Sequence, residues 1–289
     1  MIKRIRSIDR ISQYLATSDQ TIQLSIGELT IVKLIGQGSS GHVFHCRLGS
    51  SDLAIKFIAR NVNVRHTYEQ NLKKSRTEYI NLVLLDRGAD IAKYVHYDVV
   101  KFNDEQGEFV SPVILMERYD GTILDFQPKR TYRDFVRFFD FLIDTVGFLH
   151  NRNIAHNDIR ANNILIKGDN FVLADFGIAS FAPQLSDTQS ADVTKSHNKS
   201  HDIYAIGKVL LFFAMGKNYI RPVDREALTR FFPDENPEDV IMYDKVIGKC
   251  LDRNPQTNFK SITDIKDYCD NYSYHCLLDQ AQVSAPVSI

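Results

Sequence analysis

The chain has 289 residues, of which 44% are hydrophobic and 25% are charged, and its formal net charge is −1 at pH 7. This length and composition allow one large core or two modest ones, and they exclude collagen, repeat and disordered proteins. Lysine and arginine number 35 against 36 acidic residues, so an obligate nucleic-acid partner, which would favour a clearly basic domain, is not expected.

The first predicted elements are strands. Residues 1–27 mix apolar and polar residues without a clear period, and we expect an N-terminal extension packed on the first lobe. From Leu29 to Ile58, β-branched and apolar residues stand between turn formers, which predicts an antiparallel meander.

A glycine-rich turn separates the first two strands of this meander. Gly36, Gly38 and Gly41 lack side chains, so backbone N–H groups there can approach a polyphosphate closely. The same spacing also marks ordinary tight turns, and the glycines alone support both interpretations about equally. A dinucleotide-binding turn is disfavoured because a β-branched strand, and not a helix, follows the third glycine.

Lys56 interrupts an otherwise apolar strand. It is either an edge residue facing water or an inward ammonium that needs an anionic partner, because a buried unpaired charge is costly. Residues 66–86 contain no Gly or Pro and predict a helix, in which Glu78 is the candidate partner and Glu69 a weaker one. Their pairing would aim Lys56 at nucleotide phosphates. Considered alone, however, Glu78 is more simply interpreted as a carboxylate on the solvent-exposed face of the helix.

The next elements are two strands and then helices. Residues 94–117 predict two strands joined by a polar tip, and the apolar spacing from Tyr132 to His150 predicts an amphipathic helix. Ile203 to Phe213 predicts a second, strongly apolar helix, and three prolines divide residues 224–270 into short helical segments. We expect poor order after about residue 272.

A polar loop follows the amphipathic helix directly. Asp158 can accept a proton from an attacking hydroxyl group, Arg160 can offset charge on a moving phosphoryl group, and Asn163 can ligate a metal. Asp175 comes after the next apolar strand and suits Mg²⁺, a hard cation that favours oxygen ligands.

The cysteines and the apolar runs indicate the cellular compartment in which the protein is expected. The four cysteines form no C-x-x-C pair, which argues against a zinc site or a disulfide framework. Polar residues interrupt the apolar stretch that a secretory signal would need at the start of the chain. The longest apolar run is far shorter than the roughly 20 residues that cross a bilayer. We therefore expect a soluble, cytoplasmic protein without a signal peptide or membrane span.

In chain order, these segments resemble the glycine loop, the V-A-I-K strand, the H-R-D-L-x-x-x-N loop and the D-F-G turn of the eukaryotic-type protein kinase superfamily. The resemblance extends from Leu29 to about residue 270. It implies an α+β, two-lobed protein-kinase-like fold, with a sheet and one helix in the N-lobe and mostly helices in the C-lobe. The domains it implies are an extension 1–27, an N-lobe 28–117, a C-lobe 118–271 and a tail 272–289.

The resemblance also implies ATP and Mg²⁺ as cofactors and a protein hydroxyl as acceptor. Asp158 would be the base, assisted by Arg160 and Lys56, and Asn163 and Asp175 would hold the metal. The nucleotide-binding residues that it implies are Gly36, Gly38, Gly41, Val43, Ala54, Lys56, Glu78, Met116, Glu117, Tyr119 and Leu165. His156 and Phe176 resemble residues that pack under the site, and Asp202 resembles the buried aspartate that anchors the catalytic loop.

Two features depart from the family pattern. Asn157 stands where the family has the H-R-D arginine, so activation through a phosphorylated activation segment is not expected. The stretch between Asp175 and Asp202 is short and contains no A-P-E triplet, which puts the docking of a peptide substrate in doubt.

Three functions remain open from the sequence. The first is a protein kinase, with Ser or Thr favoured as acceptor, although Arg160 resembles a residue of some tyrosine kinases. The second is a small-molecule kinase of the sugar, choline or aminoglycoside type, and the third is a pseudokinase scaffold. A bacterial effector delivered into a host cell, a viral kinase and a housekeeping enzyme fit equally well, and the oligomeric state is open.

Overall fold

A computed structural model of the chain describes residues 11–15, 21–38, 41–58, 75–76, 79–80, 83, 85, 90–104, 107–125, 131–181, 196–216 and 227–283. The chain divides into two compact units, Met1–Asp120 and Gly121–Ile289. The first unit is mostly sheet and the second mostly helix, so the predicted α+β kinase-like class is confirmed. The predicted lobe boundary after residue 117 falls slightly before the division between the units.

The first unit contains a six-stranded antiparallel sheet with the order β1-β2-β3-β4-β6-β5. Its strands are β1 (Thr21–Leu24), β2 (Gly27–Gly38), β3 (Gly41–Leu48), β4 (Ser51–Ile58), β5 (Tyr94–Asp104) and β6 (Gly107–Glu117). The predicted meander and the predicted strand pair are both present. The sheet begins earlier than expected, however, because β1 lies within the segment that was assigned to the extension.

Side chains alternate across this sheet, so its two faces carry different cores. One face holds Phe44, Cys46, Ile55 and Phe57, together with Ile11 of a short helical segment at 11–15. The other face holds a smaller cluster in which Val43, Ile58 and three tyrosines pack against Ala54, Ile114 and Met116. Residues 11–15 are therefore part of the first unit's core.

The helix predicted over 66–86 lies mostly outside the described residues. Residues 75–76, 79–80, 83 and 85 are helical, in agreement with the prediction, but Glu78 and Glu69 are outside the described part of the chain. The pairing of Lys56 with Glu78 therefore stays a prediction.

Helices form most of the second unit. They are α1 (Tyr132–Asn151), α2 (Ser196–Met215), α3 (Ala227–Phe231), α4 (Pro237–Leu251) and α5 (Ile262–Val283). A capping box between Thr131 and Asp134 starts α1, and the buried rings of Phe138 and Phe213 stack at 4.2 Å between α1 and α2. The predicted amphipathic helix is thus confirmed, and the predicted apolar helix is longer than expected.

The second unit also contains two small antiparallel sheets, with the orders β10-β9-β7 and β11-β8. Their strands are β7 (Gly121–Thr122), β8 (Ile154–Ala155), β9 (Ile164–Lys167), β10 (Asn170–Leu173) and β11 (Ser180–Phe181). The loops that join β8 to β9 and β10 to β11 carry the candidate catalytic residues.

The expectation of poor order after about residue 272 is wrong for residues 272–283, which continue α5. The physical reason is that Ser261 and Asp264 cap the start of this helix, and neither Gly nor Pro interrupts it before Val283. Within the part of the chain that the structure describes, no helix is both long and apolar enough to cross a membrane.

Candidate active site

The catalytic-loop residues lie between β8 and β9. His156, Asn157 and Asp158 follow β8, and a 3₁₀ turn at Ala161–Asn163 leads into β9. Asn157 and Asp175 both have φ near +65°, at 65° and 63°. Asn and Asp tolerate this left-handed region better than most residues, so the sequence permits both sharp turns.

Two side chains hold the carboxylate of Asp158. Asn163 donates from Nδ2 to the Asp158 backbone oxygen and to Asp158 Oδ2, both at 2.8 Å. Arg160 Nε lies 3.2 Å from the same Oδ2 atom, and Asp158 is only partly buried. Because both side chains contact Oδ2, Oδ1 is the atom positioned to accept a proton.

Asn163 and Asp175 supply oxygen atoms that suit a hard cation. Asn163 uses its amide nitrogen for Asp158, so its Oδ1 atom is the one that could ligate a metal. The Asn163 backbone carbonyl accepts a hydrogen bond from the Ala174 amide at 2.8 Å. This bond connects the residue before Asp175 to the 3₁₀ turn that contains Asn163. Among the described residues, no group of three or more His, Cys, Asp or Glu side chains forms a metal cluster. Two protein ligands are nonetheless what Mg²⁺ commonly takes when phosphates and water complete its shell.

Asp202, which is fully buried in α2, holds the start of the catalytic loop. Its two oxygens accept from the backbone amides of His156 and Asn157, each at 2.8 Å, and its Oδ2 atom also contacts His150 Nε2 at 2.9 Å. Asp202 therefore anchors the loop, as the resemblance implied. The contact with His150 was not predicted, although a buried histidine late in an amphipathic helix indicates that a polar partner must exist.

The His156 ring links the two loops of the site. Its Nε2 atom is 3.2 Å from the Ala174 carbonyl and its Nδ1 atom is 3.2 Å from the Asp158 amide, while its ring packs against Phe176 at 4.5 Å. Complete burial lowers the pKa of His156, so the ring is neutral. A neutral ring donates through one nitrogen and accepts through the other, as both contacts require.

Asn157 joins the catalytic loop to the chain after Gly177. Its Nδ2 atom donates to the Ile178 carbonyl at 3.1 Å, to Ser180 Oγ at 3.3 Å and, more weakly, to the Ala155 carbonyl at 3.4 Å. These contacts reinforce the pairing of β8 with β11. The family has an arginine at the position of Asn157. In this chain the neutral amide of Asn157 instead holds the segment after Gly177 through hydrogen bonds. The stretch 182–195, where the missing A-P-E triplet was noted, lies outside the described residues.

In the first unit, four of the predicted nucleotide-binding residues lie on one face of the sheet: Val43, Ala54, Lys56 and Met116. Val43 pairs with Gly36 on one side and Lys56 on the other, and Ala54 pairs with Met116. Val43, Ala54 and Met116 belong to the same apolar cluster, and alternation along β4 puts Lys56 on that face with Ala54. Gly38 and Gly41 close the turn as a cross-strand pair.

The end of β6 has its own polar contacts. Glu117 donates its backbone N–H to the Lys93 carbonyl at 2.9 Å, and the Tyr119 hydroxyl lies 3.0 Å from the Lys93 amide and 3.3 Å from Glu117 Oε2. The Glu117 amide is therefore engaged by Lys93, which lies just before β5. Leu165, which is also a predicted nucleotide-binding residue, is half-buried in β9 of the second unit. Its cross-strand neighbours are Thr122 and Val172.

The chain is similar to known protein kinases. The family model described as "Protein kinase domain" matches residues 29–257. The carbon catabolite-derepressing protein kinase of Saccharomyces cerevisiae is 29% identical over 163 residues, which cover 54% of this chain and 24% of the yeast protein. The probable serine/threonine-protein kinase kinY of Dictyostelium discoideum is 24% identical over 294 residues, which cover 85% of this chain and 48% of that protein.

A probable serine/threonine-protein kinase of Clostridium acetobutylicum is 24% identical over 249 residues, covering 75% of this chain and 37% of the bacterial protein. The chain therefore spans about half the length, or less, of the curated relatives that it matches.

Proposed function

The chain belongs to the protein kinase family, and from that premise we propose that it transfers the γ-phosphoryl group of ATP, bound with Mg²⁺, to a hydroxyl group of a protein. The observation that carries this proposal is the arrangement around Asp158, where Asn163 and Arg160 both hold Oδ2 and Asp202 fixes the backbone just before it. Ser or Thr is the favoured acceptor because the relatives from Dictyostelium and Clostridium are named serine/threonine-protein kinases. Tyr is the alternative acceptor.

In the second unit, the proposed roles follow from the contacts. Asp158 would take the proton of the attacking hydroxyl through Oδ1, and Arg160, whose side chain is half exposed, would offset charge on the phosphoryl group. Asn163 and Asp175 would hold Mg²⁺, which would neutralise charge on the phosphate oxygens. Leu165 would contact the adenine ring.

In the first unit, Lys56 would bind the α and β phosphates, with Glu78 as the proposed partner that orients it. The glycine turn would direct backbone N–H groups at the phosphates. Val43, Ala54 and Met116 would form the apolar surface for adenine, which their shared cluster supports. Backbone groups near Glu117 and Tyr119 would bind the base, although the Glu117 amide is already engaged by Lys93.

We also propose that activity does not depend on phosphorylation of the activation segment. In the family that modification works through an arginine at the position of Asn157, and a neutral amide offers no charge to pair with phosphate. The contacts from Asn157 to Ile178 and Ser180 support the proposal, because they tie down the segment directly.

The proposed compartment is the reducing cytoplasm. Cys46, Cys250 and Cys269 are free thiols, and burial raises the pKa of Cys46 to about 12 and that of Cys269 to about 11. Such thiols stay protonated and unreactive near neutral pH, which suits a structural and not a catalytic role.

The test is incubation of the purified protein with labelled Mg-ATP, with and without a generic protein substrate, beside an Asp175→Ala variant. Label on the protein itself or on the substrate, absent from the variant, is the expected result, and phosphoamino-acid analysis then separates Ser and Thr from Tyr. Equal labelling in the variant would overturn the assignment of Asp175. ATP binding without labelled protein would instead support a small-molecule kinase or a pseudokinase.

A further inference from the structure

The segment 11–15 lies on the face of the first unit's sheet that is opposite Lys56. Ile11 and Leu15 are 2% and 4% exposed and belong to the core cluster of Phe44 and Phe57. Tyr14 adds an edge-on contact with Phe102, with the ring centroids 5.1 Å apart. The segment is thus packed into the core of the sheet.

A polar contact connects this segment to the base of the glycine turn. Ser12 Oγ lies 2.7 Å from Nδ1 of His42, and His42 is only 3% exposed. His42 follows Gly41 directly and pairs across the sheet with Gln37. The contact with Ser12 therefore acts on the second residue of β3, next to the turn.

Paired residues of β2 and β3 form the base of the turn, where Gly38 faces Gly41 and Gln37 faces His42. A Cβ atom built on Gly38 would meet no atom within 4 Å, and the nearest atom to one built on Gly36 would be Val43 Cβ at 3.6 Å. Gly36 and Gly38 have no side chains that could restrain the turn, so contacts made by neighbouring residues at its base contribute to its direction. His42 is at that base, and a buried imidazole that loses a hydrogen-bond partner is destabilised.

We propose that segment 11–15 acts as a clamp on the glycine turn, with Ser12 and His42 as positioning residues that set the affinity for ATP. The Ser12–His42 contact holds the start of β3 while Ile11 and Leu15 hold the segment on the sheet. The proposal rests on the proposed ATP-binding function of the turn. When the clamp is lost, a smaller fraction of molecules has the turn in the binding conformation, and the apparent affinity falls in proportion.

The test compares the wild-type protein with Ser12→Ala, Ser12→Thr and Ser25→Ala. Ser25 is the matched control because its hydroxyl makes a similar contact with His96 Nε2, at 2.9 Å, in an exposed part of the same unit. Backbone hydrogen exchange of residues 34–44 is measured without nucleotide, and the KM for ATP and kcat are measured separately. We expect Ser12→Ala to speed exchange in 34–44 and to raise the KM for ATP about three- to tenfold at unchanged kcat, the range that loss of one hydrogen bond produces.

Retention of both properties in Ser12→Thr and Ser25→Ala would support the clamp. Unchanged exchange in Ser12→Ala, or an unchanged KM for ATP in an active enzyme, would overturn it. A wild-type protein that neither binds ATP nor transfers phosphate contradicts the proposed function instead. In that case the exchange data alone decide whether segment 11–15 restrains the turn.

Discussion

Asn163 donates a hydrogen bond from Nδ2 to Oδ2 of Asp158 at 2.8 Å, and Asn163 is buried whereas Asp158 is partly exposed. The buried amide therefore orients the exposed carboxylate. Arg160 contacts the same oxygen at 3.2 Å, so Oδ2 of Asp158 is held by two side chains, and Oδ1 is the oxygen proposed to meet the substrate. A base oriented in advance loses little freedom when the hydroxyl group arrives.

Replacing Asp158 by Ala removes the proposed base, so we expect kcat to fall about 10²- to 10⁴-fold while the Kd for ATP stays close to that of the wild-type protein. Steady-state phosphotransfer and nucleotide binding measure the two effects. Asp169→Ala is the control, since Asp169 is an exposed aspartate in the turn between β9 and β10. Wild-type turnover in Asp158→Ala would show that another group takes the proton.

Replacing Lys56 by Ala removes the proposed contact with the α and β phosphates. We expect kcat/KM for ATP to fall about 10²- to 10³-fold, the loss typical of removing one electrostatic contact with developing charge. The matched control is Lys101→Ala, which removes an exposed lysine from β5 of the same sheet and should leave kcat/KM unchanged. Similar losses in the two variants would point to a general effect of lysine removal and would contradict the specific role of Lys56.

Replacing Asn157 by Ala removes the amide that contacts Ile178 and Ser180. We expect kcat to fall about tenfold, as the loss of one or two hydrogen bonds allows, with the KM for ATP little changed. Asn170→Ala, at the exposed start of β10, is the control. Phosphatase treatment of the wild-type enzyme should leave its activity intact, and a large loss on that treatment would argue against independence from phosphorylation.

Much of the fold could be predicted from the sequence because local patterns determined it. The alternation in β2 to β6 and the helical spacing in α1 match the elements that form. β1 was missed because it has only four residues, and an alternating pattern of that length does not stand out in the sequence. Its pairing with β2 is what makes it a strand. The continuation of α5 past residue 272 was missed because its polar residues obscure the helical period, whereas the absence of Gly and Pro favours helix.

The site was predictable where a residue type reveals its chemistry, and less so where contacts come from distant parts of the chain. Asp158 and Asn163 stand five residues apart and their pairing follows from a single turn. The contact between Ser12 and His42 spans 30 residues; Ser12 lies outside every family motif, and His42 occupies a position of the glycine loop between Gly41 and Val43. Only the packing of segment 11–15 on the sheet brings them together.

Replacing Asp202 by Asn should destabilise the second unit. The carboxylate accepts from two backbone amides and from His150, and an amide nitrogen at one of those positions would face another donor. We expect the free energy of unfolding to fall by about 1–3 kcal/mol, because at least one buried donor loses its acceptor. Urea unfolding measures the change, and Asp144→Asn, which alters an exposed contact with Lys266, should cost under about 1 kcal/mol. Equal stability in the two variants would mean that Asp202 does not anchor the loop.

His156 makes the stability of the protein depend on pH in a direction that can be worked out. Burial lowers the pKa of His156 in the folded protein, whereas in the unfolded chain its pKa returns to about 6.5. As the pH falls below that value, the unfolded chain binds a proton that the folded protein does not, so the free energy of unfolding decreases. The contribution of one such group approaches about 1.4 kcal/mol per pH unit, down to the pKa of the folded protein.

The measurement is the free energy of unfolding at pH 7.5, 6.5 and 5.5 for the wild-type protein and His156→Phe. The variant loses the contacts with Ala174 and Asp158 and is expected to be less stable at pH 7.5, but its stability should decline less steeply on acidification. Carboxylates that titrate in the same range contribute equally to both proteins and cancel in the comparison. His201→Phe, which replaces an exposed histidine of α2, should keep the wild-type slope. If His156→Phe keeps that slope as well, the folded protein must bind a proton at His156, and the ring cannot be the neutral link between the two loops.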